Sequence, residues 1–477
     1  MPKIVHLTDN SEKELKKKDC FSDVIKIAGL GSLKNNPDLL VFPHSFSELK
    51  DGIDNLSILT IHDAKHDGEE YASLKVCTGN LMGFVGMNDT SVSIHSRFTH
   101  KKHDGDVDEK SQDFFLYYLL QKVFSINIFD LEHTQSKDDK VFDFLLFLFP
   151  VMLKNALSQG LFKEYKTNSY DDAKVKGCIN ISRFIRYDIP FKGTVSYSTH
   201  ERSFDNSMTQ LIRHTIEYIK RHPFGTSILN EDAEMTENVN IIIQATPTYN
   251  QRNRIQVLNA NRRPKVHPYF TKYRDLQQLC VHILRHDALK YGKEKDKIHG
   301  ILFDGAWLWE EYLNTILKKQ RFNHAENKLK RGGLPMFAKA DADKGIKHNN
   351  QTIYPDFYKE NFILDAKYKH LNDGVGCEDL YQVVTYMYCS CAKHGGYIYP
   401  DEGNGVYHKH QLAGYNGFIH LLPFKVPQNS EKYEDFIKQI KEIEETIEQK
   451  IVEIDRQCLN SSPTPTTIKR CFHGYKP

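Results

Sequence analysis

The stretch IYPDFYKENFILDAKYK, residues 353–369, constrains this chain more than any other. Asp356 follows Pro355 and ends a short extended run. Nine residues later Asp365 closes the apolar run Phe362-Ile363-Leu364, and Lys367 lies two positions beyond. Side chains alternate along a strand, so Asp365 and Lys367 point one way and Ala366 the other. The pattern predicts neighbouring strands over residues 352–358 and 361–368, which would gather two carboxylates and one ammonium at a sheet edge. Hard divalent cations take oxygen ligands, and they drive phosphodiester hydrolysis by clamping the phosphate and generating hydroxide. The spacing suits a metal-dependent nuclease. In that reading Asp356 and Asp365, helped by the Ala366 carbonyl, bind Mg²⁺, with Mn²⁺ able to substitute. Lys367 orients the attacking hydroxide and stabilises the charge at phosphorus.

Asp-x-Lys alone is weak evidence, since the chain also holds Asp63-Ala64-Lys65, Asp172-Ala173-Lys174 and Asp138-Asp139-Lys140. Only the copy at 365 follows an apolar run and a Pro-Asp at the right distance. Downstream, residues 378–386 read as an amphipathic helix on which Gln382 and Tyr386, four apart, share a face. They would hold the catalytic strand or touch the phosphate backbone. Upstream, Trp307 to Leu313 has helical periodicity and offers a third carboxylate, Glu310, to complete the metal or water shell. Acid-bearing helix, strand, strand, helix is an order hard to reach by chance.

The remaining sequence narrows the options. A length of 477 residues suggests about three domains. The polar N-terminus MPKIVHLTDNSEKELKKKD is no secretory signal, and the longest apolar run, Phe142 to Leu153, is too short to span a bilayer, so a soluble, cytoplasmic protein without membrane contact is expected. Nine irregularly spaced cysteines are expected to remain thiols. Cys389 and Cys391 lack the further thiolates that an iron–sulfur cluster needs, and Cys458, Cys471 and His473 make no zinc pattern. No Gly-x-x-x-x-Gly-Lys-Ser/Thr occurs, so any nucleotide-driven motor is another polypeptide. Net charge is only +2, but Lys163 to Lys297 holds 23 Lys and Arg against 15 Asp and Glu. Arg252, Arg254, Arg262, Arg263 and Lys265 are its densest cluster, with Tyr249, His267, Tyr269 and Tyr273 nearby, a mixture that fits contact with DNA phosphates and equally fits a solvated face.

The expected architecture is multi-domain α/β in four segments. Residues 1–113 would form a β-rich N-terminal domain that docks a partner, after a frayed lead-in over residues 1–20. Residues 114–292 would form a mainly helical, basic middle domain, opening with two apolar helices broken near Pro150 and containing a helix that enters at Ser203–Asn206 and stops at His222-Pro223. A polar connector, 100–113, and a charged hinge, Lys293 to Lys297, would flank it. Residues 293–425 would be the nuclease domain, a mixed sheet flanked by helices. Residues 426–477 would be a C-terminal helix with an isoleucine stripe, packed in cis by default, and a loose tail.

Several segments together resemble the McrC family, the nuclease subunits of McrBC-type restriction systems. They are Lys176 to Arg186, Ile189 to Gly193, Tyr197 to Glu201, Asn206 to His214, Ile301 to Asp304 and Trp309 to Tyr312. The most specific are Pro355-Asp356, Leu364 to Lys369 and Asp379-Leu380-Tyr381-Gln382. Coverage runs from about residue 70 to 425. The resemblance implies a PD-(D/E)xK nuclease fold and work on double-stranded DNA with a hexameric McrB-like AAA+ GTPase, which recognises modified DNA and translocates. It also implies an N-terminal region that docks into the hexamer and stimulates GTP hydrolysis; docking is placed in residues 21–160, so removing residues 1–160 should leave a folded nuclease. One departure is Trp309, where the family more often has Phe, followed by two adjacent acids, Glu310 and Glu311, that compete for one role. Two rivals remain: a catalytically silent assembly subunit, which the intact Asp356, Asp365 and Lys367 disfavour, and a stand-alone RecB-like nuclease, which leaves the long N-terminal part without a purpose.

Overall fold

The computed structural model describes residues 3–16, 20–29, 39–43, 58–67, 70–88, 90–99, 113–124, 137–223, 225–230, 232–263, 265, 267–290, 298–327, 330–337, 352–371, 374–403, 405–430 and 432–460. The connector up to residue 112, the hinge Lys293 to Lys297 and the tail from 461 lie outside them. Among the described residues the chain is mixed α/β, with twelve α-helices and several sheets. None of the helices is long and apolar enough to cross a membrane.

The chain divides into two compact units, one of Met1–Ser125 with Asp296–Pro477 and one of Ile126–Lys295. This differs from the four expected segments. The N-terminal part and the C-terminal region are one unit because the strand Ile298–Asp304 completes an N-terminal sheet. That sheet runs in the order Lys3–Thr8, Thr90–His95, Leu81–Met87, Ile298–Asp304, Leu39–Phe42. Ile298–Asp304 is antiparallel to Leu81–Met87 and parallel to Leu39–Phe42, so segments more than 200 residues apart in sequence share a hydrogen-bonded ladder.

The expected frayed lead-in is instead two strands. Lys3–Thr8 alternates and buries Val5 and Leu7 while pairing in parallel with Thr90–His95. Glu12–Leu15 edges a second sheet with Glu70–Thr78 and Leu59–Asp67. Burial of those apolar positions outweighs the charged composition around them.

The C-terminal region holds a six-stranded sheet ordered Asn323–His324, Phe357–Lys359, Phe362–Ala366, His394–Asp401, Phe418–Lys425, His408–Gln411. It is mixed: Phe357–Lys359 is antiparallel to Phe362–Ala366, which is parallel to His394–Asp401. The helix Cys377–Ser390 sets Val383 and Met387 against Tyr397, Tyr399 and Ile419. The helix Gly305–Leu317 is capped by Asp304, whose carboxylate accepts from the Ala306 amide at 2.9 Å. The C-terminal helix Tyr433–Asn460 packs in cis, as expected, burying Ile437, Ile440, Ile447, Ile451 and Ile454. Its buried Glu444 accepts from Tyr118 and Tyr312 hydroxyls, each at 2.8 Å, and pairs with Lys122 at 3.0 Å.

The second unit contains a three-stranded antiparallel sheet, Glu164–Asp172, Val195–Ser203 and Cys178–Ile179, and its other described elements are helices. Asn206 caps the helix Ser207–Ile219 in a capping box with Thr209, the entry that the sequence suggested. The break expected near Pro150 is absent. The helix Lys137–Leu157 runs through it, although proline removes a backbone donor at a cost of about 3 kcal/mol. Burial of Leu146, Leu148, Phe149 and Leu153 around the proline offsets that loss.

Candidate active site

Pro355 turns the chain between the short strands Thr352–Ile353 and Phe357–Lys359, so Asp356 sits on the bend rather than inside a ladder. Two groups fix it there: its carbonyl accepts from the Ala325 amide at 3.1 Å and from His324 Nδ1 at 2.8 Å. Its carboxylate reaches the next strand, where Oδ2 accepts from the Ala366 amide at 2.8 Å. Asp365 lies one residue before that amide and is 1% exposed. On the same face of the strand Ile363 packs on Tyr386, which places Asp365 on the side of the helix Cys377–Ser390.

Lys367 follows directly. Its ammonium is 2.6 Å from Asp365 Oδ2, 3.2 Å from Asp379 Oδ1 and 3.3 Å from Gln382 Oε1. Gln382 in turn donates through Nε2 to the Tyr386 hydroxyl at 2.8 Å, so the helix face read from the sequence is a chain of contacts ending on the lysine. Asp379, one helical turn before Gln382, also holds Lys369 at 2.5 Å. Neither Asp379 nor Lys369 was among the candidates. The i, i+3 spacing to Gln382 and the repeat Lys367-Tyr368-Lys369 were the signals available.

The electrostatics follow from this crowding. Burial, the Asp365 carboxylate and Glu310 push Asp356 well above the usual carboxylate range. Burial also raises Asp365, against the pull of Lys367. Burial alone would discharge Lys367, but Asp365 and Asp379 hold it firmly protonated. Burial would raise Asp379 too, yet Lys369 and Lys367 keep it below its ordinary value.

The two helix acids separate. Glu310 is felt as charge by Asp356. Glu311 faces His324, with Oε1 3.6 Å from Nε2. Burial would lower the His324 pKa, but Glu311 and the Asp356 carbonyl raise it on balance. Glu311 is thus linked to Asp356 through the histidine, whose Nδ1 meets the Asp356 carbonyl, and the Glu310 charge also raises His324.

The donors suit a hard divalent cation. They are all oxygen, and the buried Asp365 Oδ2 has an ion pair but no aligned hydrogen bond. Two carboxylates raised by burial, one of them also by the charge of the other, are relieved by positive charge. Among the described residues, Glu310 does not close a three-ligand set with the two aspartates in which all ligand atoms lie within 4.8 Å. Asp356 and Asp365 with the Ala366 carbonyl remain the candidate ligands.

The N-terminal sheet holds the far side of this loop. The Tyr368 hydroxyl is 2.8 Å from Ser96 Oγ, and the Arg97 guanidinium lies 4.9 Å from the Tyr368 ring centre. Arg97 donates through Nε to Asp9 at 2.9 Å and through an Nη to Asn80 Oδ1 at 2.7 Å. Burial lifts Asp9 to about 6 even against Arg97. The Asn80 carbonyl accepts from the Gly305 amide at 2.8 Å. A Cβ on Gly305 would sit 2.7 Å from the Tyr368 ring, so glycine is needed for this close approach.

In the second unit the basic cluster is divided. Arg252, Arg262 and Arg263 are exposed. Lys265 pairs with Glu164 at 2.7 Å and donates to Ser207 Oγ at 2.8 Å, while Arg254 donates to the Leu284 carbonyl and lies 5.5 Å from the Tyr218 ring centre. Only the first three present unengaged exposed positions of the kind phosphate contact requires.

No curated protein is similar enough to match. Solved structures that resemble the chain include two from Thermococcus gammatolerans. One, "Refined half-complex from tetradecameric assembly of Thermococcus gammatolerans McrB AAA+ hexamers with bound McrC", is 15% identical with a TM-score of 0.49, covering 94% of this chain and 100% of that one. The other, "Cryo-EM structure of the Thermococcus gammatolerans McrBC complex", is 16% identical with a TM-score of 0.32, covering 68% of this chain and 90% of that one. A family model described as "McrBC 5-methylcytosine restriction system component" matches residues 76–400. That span exceeds half of the chain and contains both aspartates, Lys367 and the helix behind them, and the chain belongs to the McrBC 5-methylcytosine restriction system component family.

Proposed function

We propose that this chain is the DNA endonuclease subunit of an McrBC-like restriction system, a PD-(D/E)xK enzyme of the cytoplasm that cleaves DNA phosphodiesters with Mg²⁺ and stimulates an AAA+ GTPase partner. The observation that carries the reading is the convergence of Asp356, Asp365 and Lys367 at one strand end, with the ammonium 2.6 Å from a buried carboxylate. Mg²⁺, when bound, would supply Lewis acidity to the phosphate and a lowered pKa to the attacking water. Asp356, Asp365 and the Ala366 carbonyl would hold it. Lys367 orients the water and meets the charge that develops on the phosphate. Asp379 and Gln382 aim Lys367, and Tyr386 fixes Gln382. Glu310 adds negative charge beside Asp356. His324 holds the Asp356 main chain. Arg252, Arg262 and Arg263 are the residues offered to the DNA backbone. Family membership supports the partnership with a GTPase hexamer, and an intact catalytic trio disfavours a silent assembly role.

The test uses the full chain with its GTPase partner, GTP, Mg²⁺ and methylated plasmid. Wild type should cut, and Asp365→Ala should not, while still stimulating GTP hydrolysis. Equal cleavage by the two would sink the catalytic assignment. Stimulation without cleavage by wild type would leave only the assembly role.

A further inference from the structure

Among the described residues, one group of three side chains gathers metal-ligand atoms outside the acidic site: Glu12, His62 and Cys77. All three belong to the small sheet Glu12–Leu15, Glu70–Thr78, Leu59–Asp67, one from each strand. Glu12 is directly opposite Cys77 across one ladder, and Thr60 is opposite Cys77 across the other. The register of the second ladder shifts between Ile61 and Asp63, which leaves His62 as the extra residue of a bulge. A bulge re-aims a side chain. Here it swings His62 over Cys77, on the face opposite the buried Val76 and Leu74.

The three ligand atoms form a nearly equilateral triangle. His62 Nδ1 is 3.3 Å from Cys77 Sγ and 3.4 Å from Glu12 Oε1, and Cys77 Sγ is 3.6 Å from Glu12 Oε1. A tetrahedral Zn²⁺ with bonds of about 2.3 Å to sulfur and about 2.0–2.2 Å to nitrogen and oxygen requires ligand–ligand edges of about 3.3–3.6 Å. The observed edges meet that requirement without movement of the strands. Lys75 takes the other carboxylate oxygen, Oε2, at 2.8 Å. It leaves Oε1 turned to the triangle and restrains the carboxylate, as partners behind metal ligands do. Its positive charge is tolerable because a thiolate and a carboxylate together neutralise a divalent ion.

We infer that Glu12, His62 and Cys77 form a surface site for a divalent transition-metal ion of the Zn²⁺ class, distinct from the Asp356–Asp365 site. The ligands are Glu12 Oε1, neutral His62 through Nδ1, and the Cys77 thiolate, whose proton passes to solvent on binding. Water fills the fourth position. Sulfur and imidazole ligands select Zn²⁺ over Mg²⁺, so the two sites sort the two metals. The ion would tie all three strands of this sheet together at one point.

The test uses the full chain carrying Asp356→Asn and Asp365→Asn, so that the acidic site does not contribute metal. Loaded with Zn²⁺ and desalted, it should retain one equivalent by mass spectrometry of the metal. Adding Cys77→Ser, His62→Ala or Glu12→Gln should remove that equivalent, and Cys178→Ser, at an exposed cysteine elsewhere, should keep it. Loading with Co²⁺ should produce a thiolate-to-cobalt charge-transfer band in the near ultraviolet that disappears with Cys77→Ser and persists with Cys178→Ser. Circular dichroism of the variants separates loss of metal from loss of fold. Retention of no zinc by the folded parent, or equal retention by a folded Cys77→Ser chain, would overturn the site.

Discussion

Lys367→Met tests whether the site is held by electrostatic balance. The ammonium is 2.6 Å from Asp365 Oδ2, and Asp365 is 1% exposed. Removing one partner of a buried pair costs about 3–5 kcal/mol when the other charge stays buried. Two features lower that figure here: the lysine side chain is 18% exposed, and Asp365 can take up a proton instead. A loss of about 1–3 kcal/mol is expected for the metal-free protein near pH 8. The pH dependence has a definite sign. Burial already places the folded-state pKa of Asp365 above its ordinary value, and losing the ammonium raises it further. The penalty falls on the ionised form alone, so it grows as pH rises through the folded-state value and shrinks toward acid. With Asp365→Asn in place, Lys367→Met should cost less than about 0.5 kcal/mol, because Asp379 still has Lys369 at 2.5 Å. Urea midpoints of wild type, both single variants and the double variant, at pH 5 and pH 8 in chelator, give the coupling. Additive effects within about 0.5 kcal/mol, or a penalty for Lys367→Met that does not change with pH, would refute the pairing.

Asp356→Asn should abolish cleavage yet raise the metal-free melting temperature, since burial and the Asp365 and Glu310 charges make the ionised Asp356 side chain costly; wild type, but not this variant, should gain melting temperature on adding Mg²⁺. Glu311→Gln should lower cleavage through His324 and Asp356. Because the folded-state pKa of His324 is raised, the lost stability should be full below about pH 6.5 and should vanish as pH rises through the folded value, as thermal melts across that range would show. Gly305→Ala should cost about 1–3 kcal/mol by overpacking and should reduce cleavage, because the new methyl lies 2.7 Å from the Tyr368 ring beside Lys367; unchanged activity would mean that Tyr368 does not position the lysine. Deletion of residues 1–160 should leave an insoluble or unfolded chain by circular dichroism and proteolysis, against the independent nuclease expected from the sequence.

What was legible in the sequence was local. The alternation around Asp365 and Lys367 and the i, i+4 spacing of Gln382 and Tyr386 are properties of single elements, and the structure reproduces both as contacts. The strand Lys3–Thr8 also carried its signal, Val5 and Leu7 in alternation, but its charged neighbours hid it. The helix through Pro150 was misread because propensity is a prior that burial overrides. What could not be read was pairing over distance. Nothing in Ile298–Asp304 names Leu81–Met87 as its neighbour, and nothing in Asp379 shows that Lys367 of a separate strand lies 3.2 Å away. The choice between Glu310 and Glu311 depended on His324, a residue with no motif around it.

The same distant pairing explains why the two ends of the chain are one unit. The strand Ile298–Asp304 ends in Asp304, which caps the helix bearing Glu310 and Glu311, so the N-terminal sheet sets where that helix begins. Asn80 fixes the first helical amide, and Ser96 and Arg97 fix Tyr368, the residue after Lys367. Both flanks of the acidic site are thus tied to strands that the sequence assigned to docking alone. Without residues 1–160, Ile298–Asp304 would lose its ladders on both sides, and Tyr368, 7% exposed, would lose its hydroxyl partner and its cation. An N-terminal region built this way cannot be only a handle for a partner. Any partner that shifts the chain at Ser96 or Arg97 moves the residue covalently adjacent to Lys367, and the path from one to the other is a single hydrogen bond and a single ring.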